Sequence, residues 1–195
     1  MKVINLTKSS VVYTANAYLV LGRWNSLDDK NTLVDVGRDP SIILRIINTH
    51  TGVGKKRIDR VVLTHNHYNH TSILPLIREK FDPEIFAFSS KLDDVDYAVK
   101  DGQQLQIADR MFEVIHTPFH SEDSICLYCE EEEILFSGDT PLLNDTKLPV
   151  DNKIYLQSLR KLANYEITKI YTGHRGFRKY DFNKRIQHVL KLIEG

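Results

Sequence analysis

The sequence has few cysteines, no excess of either charge and no long apolar run, and each shortage removes a class of function. Among its 195 residues, 26 are basic and 26 acidic, so the formal net charge is zero. A surface that tracks phosphates needs a cationic excess, so nucleic acid is not an expected partner. The local group Lys55, Lys56, Arg57 and Arg60 reads as a solvated basic loop. No stretch stays apolar for the length of a bilayer-crossing helix, and residues 1–8 lack the apolar centre of a secretory leader. The expectation is a cytoplasmic protein with no membrane partner; the oligomeric state is left open.

The two cysteines, Cys126 and Cys129, have C-x-x-C spacing, which invites a redox reading. Their surroundings, Ser124-Ile125-Cys126-Leu127-Tyr128-Cys129, read instead as a buried strand. Residues three apart on a strand point to opposite faces, so two separate buried thiols are expected.

Apolar residues make up 42% of the chain, enough for one sizeable core, and a single domain over residues 1–195 is expected. Runs of β-branched and aromatic residues bounded by turn formers predict strands at 11–21, 32–37, 58–64, 84–88, 104–107, 111–116, 124–129, 133–137 and 169–172. Helical spacing predicts helices at 40–50 behind an Asp39 cap, and at 71–80, 90–97, 152–163 and 181–194. Strands interrupted by helices place the chain in the α/β (α+β) class.

Five of the eight histidines fall at or just beyond predicted strand ends, where loops on a rigid sheet build sites. His65 and His67 are two apart, so in extended chain both imidazoles face one way and can grip one metal. His70 follows three residues later. His120 comes after a strand and Pro118, Asp139 after Ile134-Leu135-Phe136, and His174 after Ile170-Tyr171. A lone histidine is more often a surface or satisfied core residue, but an H-x-H-x-x-H run has few structural uses.

The run Thr64-His65-Asn66-His67-Tyr68-Asn69-His70 resembles the T-H-x-H-x-D-H signature of the metallo-β-lactamase superfamily. His116-Thr117-Pro118-Phe119-His120 resembles its H-T-P-G-H segment, and Phe136-Ser137-Gly138-Asp139-Thr140 its F-x-G-D-T segment. Asp35-Val36-Gly37 resembles the early D-x-G, and Gly173-His174 the closing G-H. The resemblance implies a four-layer αββα sandwich with a glyoxalase II-like metal site at one sheet edge. It assigns His65, His67 and His120 to a first metal, His70 and His174 to a second, and Asp139 to both. Asp35 would brace the histidine-bearing loop from behind. The implied cofactor is zinc, one ion or two, with iron or manganese as alternatives. His116 has no role in the pattern and reads as structural, as do His50 and His188.

Two positions depart from the pattern. Asn69 stands where the family has aspartate, and a neutral amide is the weaker donor to a dication. Phe119 replaces glycine, so its ring either narrows the pocket or packs away from it.

The activity the resemblance implies is hydrolysis of a thioester, lactone or other ester of a small molecule by metal-activated hydroxide. Asp139 and Asn69 are the candidate catalytic residues, Asn69 with reduced capacity because an amide accepts no proton. Two other readings stay open. One is a degenerate metal-binding module with little catalysis. The other is an iron enzyme resembling the persulfide dioxygenases, using His65, His120 and Asp139 as a facial triad. The flavodiiron branch is disfavoured, since His67 stands where it carries glutamate. The expected pocket walls are residues 24–30 and 141–153.

Overall fold

Side chains that alternate along the strands separate into three apolar clusters, and the clusters define the layers. The computed structural model describes residues 1–88, 92–142, 152–174, 176–179 and 182–194. One sheet runs β1 (Lys2–Asn5), β2 (Tyr18–Leu21), β3 (Thr32–Val34), β4 (Arg60–Val62), β5 (Glu84–Ala87) and β6 (Tyr97–Ala98), in that spatial order. The other runs β7 (Gln104–Ile107), β8 (Arg110–His116), β9 (Ile125–Cys129), β10 (Ile134–Gly138), β11 (Lys169–Thr172) and β12 (Gly176–Lys179). The helices are α1 (Ile42–Asn48), α2 (Tyr68–Thr71), α3 (Leu74–Phe81), α4 (Lys153–Leu162) and α5 (Phe182–Glu194).

The central cluster lies between the sheets. It takes Val20 from β2, Val34 from β3 and Val62 from β4, and meets them with Val114, Leu127 and Phe136 from β8, β9 and β10. The neighbouring residues face outward. Leu19, Leu33 and Val61 pack under Ile42 and Ile46 of α1 and Ile77 of α3. On the other side Ile115, Tyr128 and Leu135 pack under Tyr155 and Leu159 of α4 and Phe182 and Ile186 of α5. Covered on both faces, β2, β9 and β10 are buried at every position, which is why they read as unbroken apolar runs. The order helix, sheet, sheet, helix is the αββα sandwich that the resemblance implied.

Cys126 belongs to the outer cluster and Cys129 to the central one, so the strand sends the two thiols to opposite faces and both are free. Asn152 caps α4 by accepting from the amides of Ile154 and Tyr155. Other expectations shift. Of residues 11–21 only Tyr18–Leu21 pairs as strand, and Val11 is fully exposed. No helix forms at 92–97, which turns into β6; residues 89–91 lie outside the described residues. The strands β1 and β12, both at sheet edges, carry weaker patterns and were not expected. No helix among the described residues is long and apolar enough to cross a membrane.

Candidate metal centre

Strands β3, β4 and β5 run parallel, β10 pairs parallel with β11, and β8 points the same way as β10 because each is antiparallel to β9. Their C-terminal ends therefore gather at one edge. Asp35 follows β3, the run from Thr64 to His70 follows β4, and His120 follows β8. Asp139 follows β10, and His174 follows β11. Bonds between the sheets close this edge: Ile125 N donates to Thr64 O (2.9 Å) and Asn16 N to Gly173 O (2.6 Å).

Asp35 organises the floor. It adopts a left-handed backbone, φ 55°, unusual for a residue with a Cβ and a mark of local strain. Its carboxylate accepts from Thr64 N, Thr64 Oγ1 and His70 Nδ1, each at 2.8 Å. The last bond turns His70 Nε2 into the site. Thr64, which the sequence reading passed over as a site residue, links this carboxylate to His65 Nδ1 at 3.2 Å. His67 precedes α2 and accepts from His70 N through its carbonyl (2.9 Å); α2 is a separate short helix, and the helix expected at 71–80 forms as α3, Leu74–Phe81.

The imidazoles converge above this floor. The His65 ring centre lies 4.7 Å from that of His67, 4.1 Å from His70 and 4.8 Å from His120. His67 Nδ1 and His120 Nε2 face each other at 2.9 Å. Asp139 sits between the two groups. Its Oδ1 is 3.4 Å from His70 Nε2, and its Oδ2 is 3.3 Å from His174 Nε2 and 3.6 Å from His120 Nε2. The Asn69 amide nitrogen lies 2.9 Å from His174 Nε2. Two glycines permit this crowding. A Cβ on Gly173 would stand 2.0 Å from Asp139 Oδ1 and 2.9 Å from His70 Cε1, and one on Gly138, at φ +49°, would stand 2.7 Å from Thr64 Oγ1.

Burial and charge separate the histidines. Burial, with the charge of His70 adding to it, pushes His65 down to about 3. Burial opposes the charged form of His70 too, but the carboxylates of Asp35 and Asp139 together outweigh it and His70 rises to about 9. Burial also lowers His120. The Asp139 carboxyl would be raised by burial, yet its contacts with His174 and His70 hold it well below the usual carboxylate range.

The donor set fits a divalent cation. Ligand atoms of His65, His67 and His120 lie within 4.8 Å of one another, as do those of His65, His70 and Asp139. The Nε2 atom of His65 is buried with no hydrogen-bond partner among the described residues, and that of His70 is buried with only the long 3.4 Å approach to Asp139 Oδ1. An unsatisfied buried polar atom costs about 1–3 kcal/mol, which a cation at that point removes.

Other expected positions lie elsewhere. The Phe119 ring meets that of Tyr155 at a tilt of 55° with centres 5.1 Å apart, and it packs against the outer cluster. His116 stacks on Phe88 at 3.9 Å and bonds to Glu122 O (2.8 Å), a structural role. His50 neighbours Trp24 at 6.2 Å; the side chain of His188 lies outside the described residues. Residues 24–30 do not wall the site. They precede β3, with Lys30 bonded to Ala108, whereas the site follows the other end of that strand. Of 141–153, residues 143–151 lie outside the described residues. The neighbour the sequence reading missed is Tyr13, whose ring stacks on His174 at 5.3 Å and 12°. Its signal was three consecutive apolar residues, 11–13, in a segment too exposed to be strand.

The profile of the family described as Metallo-beta-lactamase superfamily matches residues 11–174. The chain is 32% identical over 146 residues to the atrochrysone carboxyl ACP thioesterase of Aspergillus fumigatus, covering 73% of this chain and 46% of that protein. It is 30% identical over 142 residues to the hydroxyacylglutathione hydrolase of Hydrogenovibrio crunogenus, covering 72% and 49%. The chain thus spans about half the length of these curated relatives. Among solved structures, ETHE1 from Myxococcus xanthus superposes with a TM-score of 0.70 at 19% identity, over 100% of this chain and 91% of that one. At that identity the agreement is one of fold.

Proposed function

The chain belongs to the metallo-beta-lactamase superfamily, and from that premise we propose that it is a metal-dependent hydrolase of a small-molecule thioester or related activated ester. The observation that carries the reading is the convergence of five imidazoles, three of them (His70, His120 and His174) in contact with Asp139, with His65 Nε2 buried and left without a hydrogen-bond partner among the described residues. The names of the relatives, a carrier-protein thioesterase and a hydroxyacylglutathione hydrolase, favour a thioester over other esters.

In this reading His65, His67 and His120 hold one divalent ion, and His70 and His174 a second, with Asp139 shared. An imidazole-rich set with one carboxylate suits zinc, ahead of iron or manganese. The chemistry such a group supplies is Lewis acidity, which brings the pKa of water towards neutrality and polarises an acyl carbonyl. The remaining work belongs to the chain. Asp35 holds Thr64 and His70 in place, so the donors need no reorganisation. Asp139 stays ionised and supplies the negative charge between the two histidine groups. Asn69 orients His174 through its amide but accepts no proton. The net reaction adds water to the acyl carbon, breaks the C–S or C–O bond, and releases an acid and a thiol or alcohol.

The test is metal analysis of the purified protein together with turnover of an acyl-coenzyme A, a hydroxyacylglutathione and an aryl lactone. Bound zinc and thioester hydrolysis well above that of His120→Ala are expected. A fully metal-loaded protein that hydrolyses none of the three faster than this variant sinks the reading.

A further inference from the structure

Beside His174 a recess of about 950 Å³ opens between the edge of the first sheet and β11. None of His65, His67 and His120 lines it, so it extends the site on one side only. Its walls come from β1, from the connection between β1 and β2, and from Tyr171. Three properties of these walls restrict what fits.

The first is aromatic surface. Tyr13, Tyr18 and Tyr171 all line the recess. Tyr18 is fixed by its hydroxyl, which donates to Thr172 O (2.8 Å), and by edge contact with Tyr171 at 5.3 Å. Tyr13 is 71% exposed, yet it lies flat on His174. A flat ring between the recess and a proposed metal ligand offers a face on which a planar group can stack. Next to it Val11 and Val12 are also exposed, and an apolar patch at a pocket mouth marks a contact surface.

The second property is charge. The lining contains one cation, Lys8, and no aspartate or glutamate. Lys8 is exposed and pairs with no described acid. The third is a polar wall held in place: Asn5 Nδ2 donates to Asn16 Oδ1 (2.9 Å), and Asn16 Nδ2 to Thr172 O (2.8 Å).

We infer that this recess is the subsite for the acyl half of the substrate, and that the acyl group is aromatic with a distal carboxylate that pairs with Lys8. The inference rests on the hydrolase reading for the reaction but not for the binding. The acyl ring lies along the exposed face of Tyr13, the scissile carbonyl sits beside His174, and the thiol or alcohol leaves on the side of His67 and His120. Large apolar surface gives the affinity, and Lys8 gives the preference for an anion.

Two measurements separate the subsite from the reaction. The first is binding of a naphthalene dicarboxylate, followed by its own fluorescence, with no turnover needed. Lys8→Glu should weaken binding about tenfold, or ~1.4 kcal/mol, because it removes an exposed ion pair and sets a like charge in its place. Tyr13→Ala should weaken it several-fold, and should weaken an aliphatic dicarboxylate less. The second is kcat/KM for a carboxyaryl thioester relative to its uncharged ester analogue. That ratio should fall about tenfold in Lys8→Glu, while the metal content stays at the wild-type value. Dicarboxylate binding that does not respond to either substitution overturns the subsite, whatever the turnover shows. Wild-type protein that turns over no thioester, but binds the dicarboxylate through Lys8 and Tyr13, overturns the hydrolase reading and leaves the subsite standing.

Discussion

The two halves of the proposed metal centre use the same kind of donor but carry different charge and a different proton load. His65, His67 and His120 form a group in which burial keeps His65 neutral, with its pKa at about 3. His70, Asp139, His174 and Asn69 form a group in which Asp35, with Asp139, raises His70 to about 9. At neutral pH the metal-free protein therefore has His65, at the centre of the first half, already deprotonated. In the second half His70 keeps its proton, and a metal must displace it. A single carboxylate at Asp139 and a neutral amide at Asn69 then face whatever charge arrives. Identical side chains become unequal ligands because of the carboxylate behind one of them.

The largest expected effect follows from removing a ligand on each side. In a site worth some 10–16 kcal/mol, one of a few ligands accounts for several kcal/mol, or roughly three orders of magnitude in affinity. His120→Ala should lose the tightly held ion altogether on dialysis. His174→Ala should retain one ion per chain by elemental analysis. If His174→Ala emptied both sites equally, the two halves would be one cooperative unit and the comparison would fail.

Asp35 gives the next effect. Its carboxylate satisfies three donors in a buried place, so Asp35→Ala leaves them unpaired at a cost of about 3–5 kcal/mol in stability. Asp35→Asn keeps the shape, and should weaken metal binding by about 10–100-fold. That loss should fall mainly on the second ion, because His70 is the imidazole Asp35 touches. Competition titrations that show equal losses for both ions would place Asp35 behind the whole edge.

The proton load is testable in the metal-free protein. His70 has a folded pKa of about 9 against an ordinary 6.5, so its stabilising contribution is complete below pH 6.5 and lost as pH rises through 9. His65 has the opposite sign: its contribution is present above pH 6.5 and is lost as pH falls towards 3. Urea denaturation should therefore show a maximum near pH 6.5 with a decline on both sides, the alkaline limb amounting to at most about 3 kcal/mol. His70→Gln should flatten the alkaline limb and spare the acid one. A profile level from 6.5 to 9 would remove the asymmetry.

Much of this was legible in the sequence, for a physical reason. Strands covered on both faces must be apolar throughout, so β2, β9 and β10 announce themselves, and ligands that follow strand ends carry their spacing with them. Thr64 and Tyr13 were not legible as site neighbours. Thr64 acts through a bond to a carboxylate 29 residues away, and Tyr13 reaches His174 only because its segment leaves the sheet. The strand expected at 11–21 failed on the same point. Its residues have the right composition, but the first half turns across the site edge, where Ala15 N donates to Asn69 O (3.1 Å) and Asn16 N to Gly173 O. Tertiary bonds of this kind leave no period in a sequence. The edge strands β1 and β12 were missed because a strand paired on one side only needs no strong pattern.

The smallest effect, and the finest test of the comparison, is Asn69→Asp. The amide nitrogen of Asn69 sits at 2.9 Å from His174 Nε2, which itself lies 3.3 Å from Asp139 Oδ2, so a carboxylate there adds an anion to the half that has only one. Its Coulomb gain for a second ion is large in principle but is offset twice. The new carboxylate is repelled by Asp139 in the metal-free protein, which lowers stability. It also strengthens the hold of His70 on its proton, which the ion must displace. The net gain in second-ion affinity should therefore be only about tenfold near neutral pH, or ~1.4 kcal/mol. It should grow as the pH passes 9, where His70 is already deprotonated. Asn69→Ala separates charge from ligation: if the amide acts only by orienting His174, the second ion's affinity should fall by less than about threefold. Calorimetric titration of zinc into all three proteins, at two pH values in buffers of different ionisation enthalpy, reads both the affinity and the protons released. Equal affinities in Asn69→Asp and the wild type at both pH values would show that the residue at 69 does not set the balance between the two halves, and that His70 alone does.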